Sequence, residues 1–271
     1  IISCSNDDGL DSNPVTLTNK NNSRLAATEN VKLLKVFTSS DALYGFASYV
    51  RRFKVEVKNL AYNKNVVISH KMADGSWKDY TLNYISSTSN NTEIWGSDIT
   101  ITNSNYVGET PSLLFADEFV ARYEVNGTKY WDNNGGQNYK VGNLEGTFLR
   151  SDLNVSVDTY YSAIYNSYSN SNIFSVQVDV RNISPTKLVS VVYTTDNWNT
   201  VKTAPLNFTP TLTVGARQWL TSPNRFGMER WIANIDIPKT IDAVKYAVVY
   251  KVNGVEYWDN NYEQNYTAVK N

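Results

Sequence analysis

The chain contains an internal duplication, and this repeat constrains the fold more than any other feature. The run Tyr-Trp-Asp-Asn-Asn occupies residues 130–134 and recurs at residues 257–261, and Gln-Asn-Tyr follows both copies at the same spacing. The likeness continues upstream, where Val-x-Val-x-Asn begins at Val55 and again at Val178. Long-range self-similarity of this kind indicates two copies of one structural unit. We therefore predict two modules, residues 31–143 and 144–271, after an N-terminal segment of residues 1–30.

Each copy consists of short segments in which apolar and polar residues alternate, as at 53–58 and 119–125, and this alternation is typical of half-buried β-strands. The composition agrees, because 19 Tyr, 7 Trp and 9 Phe favour pleated surfaces over helices. Asn-Gly at 126–127 and 253–254 lies between alternating runs and predicts a tight hairpin in each copy. We therefore expect an all-β protein with two immunoglobulin-like β-sandwich domains in tandem, although the pattern leaves a small barrel open.

The N-terminus resembles a bacterial lipoprotein. Ile1, Ile2 and Ser3 precede Cys4, the only cysteine of the chain, in the order that marks a cysteine for lipidation. Residues 5–30 are rich in Ser, Asn and Asp, as expected of a flexible, disordered tether. The run Ser-Asn-Asp-Asp at 5–8 resembles the acidic export tag of Bacteroidota lipoproteins. The resemblance implies lipidation at Cys4 and a location on the outer face of the outer membrane, at the cell surface.

Charge and motif content exclude several functions. With 25 Lys and Arg against 26 Asp and Glu, the chain has no basic field for phosphates, so no nucleic-acid partner is expected. Glycoside hydrolysis usually needs two carboxylates, and only one acid per copy, Asp132 or Asp259, accompanies the repeated motif. We predict no enzyme activity, no cofactor and no metal.

The repeated aromatic and amide residues indicate a sugar ligand. Trp77 and Trp198 lie in turn sequences, while Trp131 and Trp258 follow a tyrosine and precede Asp-Asn-Asn. An indole ring can cover the apolar face of a pyranose, and asparagine amides can both donate to and accept from its hydroxyls. Two alternatives stay open: the tryptophans fill the cores, and the asparagines only shape turns.

These motifs together resemble the family 21 carbohydrate-binding module. The likeness rests on Lys-Asn-Leu-Ala-Tyr-Asn-Lys at 58–64, on Trp77, and on the Trp-Asp-Asn-Asn…Asn-Tyr pattern. It implies a sandwich that binds α-1,4-glucans. One site of that family carries over to Trp77, Trp131, Asn133 and Asn138 in the first repeat and to Trp198, Trp258, Asn260 and Asn265 in the second. A further family site carries over to Asn59, Tyr62 and Lys64.

The sequence departs from the family at several positions. Pro185 replaces the tyrosine of the further site in the second repeat, which implies that this site is lost or altered there. An aromatic of the family's main site is Val120 in the first repeat and Ala247 in the second. The second repeat also has a longer middle stretch, residues 204–228, which we expect to reshape its sugar site.

We therefore expect a non-catalytic lipoprotein that binds starch, glycogen or maltooligosaccharides and feeds an uptake system. Its expected partners are the glucan, the outer membrane through the lipid and an outer-membrane glycan transporter. Three alternatives stay open: a β-glucan of the laminarin type as ligand, a structural or adhesion repeat protein, and a fragment of a lipid-anchored amylase.

Overall fold

The computed structural model describes residues 29–43, 46–103, 114–167, 170–214 and 218–270. The regular elements in these ranges are all β-strands, which confirms the predicted all-β class. Since this part of the chain forms no helix, no helix in it crosses a membrane. Cys4 and the predicted tether up to residue 28 lie outside the described residues.

The first repeat folds into two facing antiparallel sheets. In chain order its strands are β1 (Val31–Leu43), β2 (Phe46–Lys58), β3 (Lys64–Met72), β4 (Trp77–Thr81), β5 (Asn83–Ser87), β6 (Thr92–Asn103), β7 (Phe115–Val125), β8 (Thr128–Asp132), β9 (Tyr139–Lys140) and β10 (Gly146–Leu149). One sheet has the order β10-β1-β2-β6-β5, and the other has the order β4-β3-β7-β8, with β9 also paired to β7. Although β10 lies beyond residue 143, where we placed the end of the first module, it is an edge strand of this module's sheet.

Alternation along the strands produces the core of the first sandwich. Phe53 and Val55 of β2 and Phe119 and Tyr123 of β7 are at most 2% exposed and belong to one cluster. Burying each such side chain stabilises the fold by about 1.5–3 kcal/mol. The predicted hairpin joins β7 to β8, and its Asn126 takes the left-handed φ of 51° that a tight hairpin turn requires.

The second repeat forms an equivalent immunoglobulin-like sandwich. Its strands are β11 (Val155–Val157), β12 (Ala163–Tyr165), β13 (Ser171–Arg181), β14 (Lys187–Thr194), β15 (Lys202–Pro205), β16 (Asn207–Thr209), β17 (Thr211–Val214), β18 (Gln218–Thr221), β19 (Met228–Pro238), β20 (Ala243–Val252), β21 (Val255–Asp259) and β22 (Tyr266–Val269). One sheet has the order β11-β13-β19-β16 with β12 on β13, and the other has the order β15-β14-β20-β21 with β22 on β20. The hairpin β17–β18 has no counterpart among the described residues of the first repeat.

The longer stretch 204–228 packs against the first module. Leu212 and Leu220 of the β17–β18 hairpin form a small buried cluster with Phe37 of β1. Farther along, Arg225 donates to the backbone oxygen of Lys140 at 2.9 Å. These residues connect the two modules, and the expectation that the stretch reshapes the second sugar site stays a prediction.

A buried ionic cluster also joins the modules. Asp179 of β13 accepts from Arg230 Nε at 2.9 Å, from Thr147 Oγ1 at 2.7 Å and from Lys35 Nζ of β1 at 3.2 Å. Arg230 also pairs with Asp158 at 2.9 Å. All five side chains are buried, so each charge depends on its partners for the solvation it has lost. The cluster therefore fixes how one sandwich sits on the other.

Candidate functional site

Two tryptophans lie on the outer face of the β4-β3-β7-β8 sheet. Trp77 begins β4 and is 47% exposed, and Trp131 on β8 is 50% exposed. Tyr80 and Tyr130 occupy the opposite face and pack against the core. Strands β4 and β8 are three strand spacings apart, or about 14 Å. The two indoles therefore flank a shallow groove, here called the first groove, which Asn133 also lines.

The floor of the first groove is a charged, hydrogen-bonded group. Arg122 donates to Asp79 at 2.7 Å, and the Ser69 hydroxyl bonds the other oxygen of the same carboxylate. Burial opposes ionisation of Asp79, but the bonds from Ser69 and Arg122 bring its pKa below its usual value. The guanidinium carbon of Arg122 lies 5.3 Å from the Trp131 ring centroid, within cation–π range. These contacts hold the floor and one indole in place before any ligand arrives.

The Asp-Asn-Asn run begins with a carboxylate that is already engaged. Asp132 accepts from the Tyr139 hydroxyl at 2.8 Å and from the backbone N–H of Leu33 at 2.6 Å. Burial and the neighbouring Asp132 raise the pKa of Tyr139 far above its usual value, so the phenol keeps its proton. Asp132 therefore anchors the loop to β1.

The asparagines of this loop combine a turn-forming role with exposure to the groove. Asn133 Oδ1 accepts from the backbone of Gly136 at 3.0 Å, while Asn138 takes a φ of 56° and donates to Glu118 at 2.6 Å. Both side chains also line the first groove. The Asn133 Nδ2 group has no hydrogen-bond partner among the described residues, so the amide can still donate to a ligand. The two interpretations of these asparagines are thus compatible.

In the second repeat, the loop tryptophan occupies a different position. In the strand register, Lys202 pairs with Tyr193 as Lys78 pairs with His70, which makes Val201 the counterpart of Trp77. Trp198 lies three residues earlier, in the turn after β14, with a φ of 71°. The sequence match of Trp77 with Trp198 therefore does not hold in the strand register.

Hydrogen bonds hold this turn in place. Thr194 Oγ1 accepts from the Trp198 backbone at 3.0 Å, and Asp196 accepts from the Thr200 backbone at 2.9 Å. Bonds from Thr200 and Thr194 lower the pKa of Asp196 to about 2, so its carboxylate stays charged. The turn thus positions Trp198 on the surface, half-buried rather than fully open.

The outer face beneath Trp258 is apolar. Trp258 pairs with Val249 where Trp131 pairs with Arg122, and Val192 and Ala247 take the places of Ser69 and Val120. The three positions of the second repeat that correspond to Arg122, Ser69 and Val120 therefore carry apolar side chains, and the charge of Arg122 has no counterpart there. We expect the two repeats to differ in how they hold the hydroxyls of a sugar.

One of the two loop asparagines of the second repeat, Asn260, is less available than its counterpart Asn133. Asn260 is only 4% exposed, and its side-chain oxygen accepts from the Glu263 backbone at 3.1 Å. Asn265 takes a φ of 58°, and its backbone oxygen accepts from Asn261 at 3.1 Å. Asn260 therefore serves mainly to shape this loop.

In the predicted further site of Asn59, Tyr62 and Lys64, the tyrosine is exposed whereas the lysine and asparagine bond within the protein. Tyr62 is 97% exposed and free to cover a sugar, but the Lys64 side chain is almost fully buried. Lys64 Nζ lies 2.8 Å from Glu93 and donates to Asn59 at 2.6 Å, while Trp95 donates to the same Glu93 at 3.0 Å. The ammonium of Lys64 is therefore held by protein partners.

The same clamp recurs in the second repeat without the tyrosine. Lys187 donates to Asn182 at 2.7 Å and to Glu229 at 2.8 Å, and Trp231 donates to Glu229 at 3.0 Å. Because Pro185 replaces the tyrosine and the clamp persists, the lysine and asparagine serve the fold in both copies. Only the aromatic side chain distinguishes a binding surface from this clamp.

The comparisons with known proteins identify the family. The sequence model of the family described as carbohydrate/starch-binding module (family 21) matches residues 26–142 and again residues 159–269. The chain belongs to this family. Its two family 21 modules correspond to the two sandwiches described above, and the first groove lies on the first of them.

The chain is similar over part of its length to two curated proteins. Glucoamylase 1 of Rhizopus oryzae is 32% identical over 96 residues, which are 35% of this chain and 14% of that enzyme. Protein phosphatase 1 regulatory subunit 3B of Homo sapiens is 34% identical over 92 residues, 32% of this chain and 30% of that subunit. The chain thus spans less than a third of either relative.

Two solved structures also match one module's length of the chain. The starch-binding domain of Rhizopus oryzae glucoamylase, solved with β-cyclodextrin and maltoheptaose, is 26% identical, with 43% of this chain and 95% of that chain covered and a TM-score of 0.29. The carbohydrate-binding module of the muscle glycogen-targeting subunit of protein phosphatase-1 is 20% identical, with 43% and 75% covered and a TM-score of 0.31.

The sequence reasoning did not predict an exposed aromatic beside either clamp: it passed over Tyr84 and included Phe208 only as part of the stretch 204–228. Tyr84 of β5 is 52% exposed and lies edge-on to Trp95, with 6.0 Å between ring centroids. Phe208 of β16 is 42% exposed and lies 6.0 Å from Trp231. Both rings extend the clamp surface outward. Their sequence signal is an aromatic in a short strand upstream of the Glu-Ile-Trp run at 93–95 or the Glu-Arg-Trp run at 229–231, which is too weak to single them out.

Proposed function

We propose that this chain is a non-catalytic protein that captures α-1,4-glucan, such as starch, glycogen or maltooligosaccharides. The observation that carries the proposal is the first groove, where half-exposed Trp77 and Trp131 flank a rigid, hydrogen-bonded floor. A pyranose chain can stack on both indoles, and Asn133 and the charged floor can bond its hydroxyls. Side chains fixed in advance lose little entropy on binding. Membership in a starch-binding family supports the same ligand.

Calorimetry tests the ligand. The chain is titrated with maltoheptaose and with laminarin oligosaccharides, alongside a Trp77→Ala/Trp131→Ala variant. Heat with maltoheptaose that falls sharply in the variant supports the proposal. Heat with laminarin alone would replace the ligand by a β-glucan, and no heat with either would favour a structural or adhesion role.

The state of the two repeated acids, Asp132 and Asp259, supports the proposal that the chain binds glucan without cleaving it. Asp132 and Asp259 each accept from a tyrosine hydroxyl and a backbone N–H, so neither is poised as a general acid or nucleophile. In the part of the chain that the structure describes, no three potential ligands cluster to hold a metal ion. Incubation with maltoheptaose followed by an assay for new reducing ends is expected to show none above a no-protein control.

We also propose that a lipid on Cys4 holds the protein at the cell surface, where it supplies glucan to an outer-membrane transporter. The support is the Ile-Ile-Ser-Cys run and the polar segment after it. Labelled palmitate is expected to appear in the protein and to be absent from a Cys4→Ala variant. Protease treatment of whole cells should then remove the anchored protein; protection from protease would contradict surface exposure.

A further inference from the structure

A cleft lies between the two modules, away from the first groove. Its walls come from both sandwiches: Ile85, Ser89 and Asn90 of the first face Trp258 and Tyr262 of the second. Gln264 Nε2 ties one rim to the other by donating to the Ser87 backbone oxygen at 3.0 Å. Because the ionic cluster fixes the modules against each other, the cleft is a defined feature of the whole chain rather than of either module.

A cationic group is directed into this cleft. Lys54 of β2 lines it, and its ammonium has no hydrogen-bond acceptor within the described residues. Burial and the nearby Lys35 lower the pKa of Lys54, while Asp259 and Asp158 favour its charged form. Lys54 is half-buried, and an ammonium without a protein acceptor can donate to a ligand hydroxyl.

The remaining wall has the chemistry that a sugar requires. Trp258 and Tyr262 supply aromatic surface, Asn90 supplies amide groups, and Ile85 is 52% exposed beside them. Two lysines of the first module, Lys35 and Lys54, and two acids of the second, Asp259 and Glu263, line the cleft. Their charges balance, so the cleft favours a neutral polar ligand over an anion.

The size of the cleft limits what can enter. Leu34, Ile94 and Val155, all buried, line part of it, and its volume is about 210 Å³. This is below the roughly 300–1,000 Å³ of pockets that hold drug-sized ligands. A volume of this size has room for about one sugar unit, so we expect the end of a glucan chain to enter rather than its middle.

We propose that the inter-module cleft is an additional glucan site, which takes a terminal glucose unit between Trp258 and the Lys54 ammonium. This inference rests on the proposed function. It assigns Trp258 to a composite site that neither module forms alone, and it makes the protein sensitive to chain ends as well as to the chain itself.

The test compares a linear and a cyclic glucan on the full chain. Maltoheptaose has ends and β-cyclodextrin has none, although both present the same glucose units. In a Tyr62→Ala/Trp77→Ala/Trp131→Ala/Trp198→Ala background, calorimetry should show residual binding of maltoheptaose and none of β-cyclodextrin. Adding Ile85→Arg to block the cleft should abolish the residual binding. Leu188→Arg, a matched change at an aliphatic that is 48% exposed on β14, should leave it intact.

Lys54→Met provides a second readout. It should weaken the residual binding about tenfold or more, because a hydrogen bond from a charged donor is lost. It should not lower the melting temperature, since no protein partner loses a bond. Loss of melting temperature together with binding would indicate a structural lysine and contradict the assignment.

Three results would overturn the inference: no residual maltoheptaose binding, equal binding of the cyclic glucan, or indifference to Ile85→Arg. If the unmodified chain bound no α-glucan at all, the proposed function would fail and this inference with it. The failure of the cleft alone would leave binding at the first groove unchanged.

Discussion

Replacing Asp179 by asparagine tests whether the buried ionic cluster joins the modules. The change keeps the shape of the side chain but removes the charge that Arg230 and Lys35 share at 2.9 and 3.2 Å. Asp179 is 3% exposed, so water cannot replace the lost partner. Breaking a buried pair typically costs about 3–5 kcal/mol, and the remaining bonds that Arg230 donates to Asp158 and Lys35 donates to Ser156 favour the lower end. We therefore expect a loss of about 3 kcal/mol in the free energy of unfolding.

Urea unfolding followed by tryptophan fluorescence measures this loss, and Asp98→Asn is the matched control. Asp98 also pairs with an arginine, Arg52, at 3.2 Å, but its side chain is 53% exposed. Surface pairs contribute about 0–1 kcal/mol, so the control should unfold almost like the unmodified chain. If Asp179→Asn cost no more than Asp98→Asn, the modules would not share a buried cluster, and the cleft between them would lose its fixed geometry.

Three further changes test other parts of the structure. Trp131→Ala should weaken maltoheptaose binding roughly thirtyfold, since covering the exposed half of a ring of roughly 200 Å² is worth about 2 kcal/mol; calorimetry with Tyr165→Ala as an exposed-aromatic control measures it. Lys64→Met should lower the melting temperature because the buried Glu93 carboxylate loses its cationic partner, while affinity at the first groove stays unchanged; the reverse pattern would make Lys64 a ligand contact. Burial, and to a lesser extent the charge of Arg51, lowers the pKa of His70 to about 3 in the folded protein. Because the pKa in the unfolded chain is higher, the free energy of unfolding falls as the pH drops below about 6.5. Between pH 7.5 and 4.5 this histidine should account for about 2–3 kcal/mol of lost stability, and His70→Leu should show a correspondingly weaker pH dependence in urea titrations.

The sequence allowed most of the fold to be predicted. Alternating residues such as Phe53 and Val55 define which side of a strand faces the core, and this information is local. The Asn-Gly hairpins were equally readable, because Asn126 and Asn253 tolerate the left-handed backbone that the turn needs. The sequence left open whether Trp77 and Trp131 fill the core, and the structure shows both half-exposed; their role in sugar binding stays a prediction.

The roles of several site residues could not be read in this way. Lys64 looked like a ligand residue, but it is held by Glu93, which lies 29 positions away in the chain and meets it only in the folded sheet. Trp198 matched Trp77 by spacing, yet the strand register places Val201 there. Spacing along a chain cannot report a register that depends on which backbone groups pair across a sheet.

The sequence by itself determined the duplication, the all-β class and the aromatic residues available for a sugar, because these depend on residue type and short-range pattern. Tertiary structure alone decided how the two modules meet. Asp179, Arg230 and Lys35 come from distant strands, and nothing local marks them as partners. Because of the same packing, Trp258, which corresponds to Trp131 in the strand register, lines the cleft between the two modules. Charges lose their water only when both surfaces close over them, so the identity of their partners is settled by the whole fold.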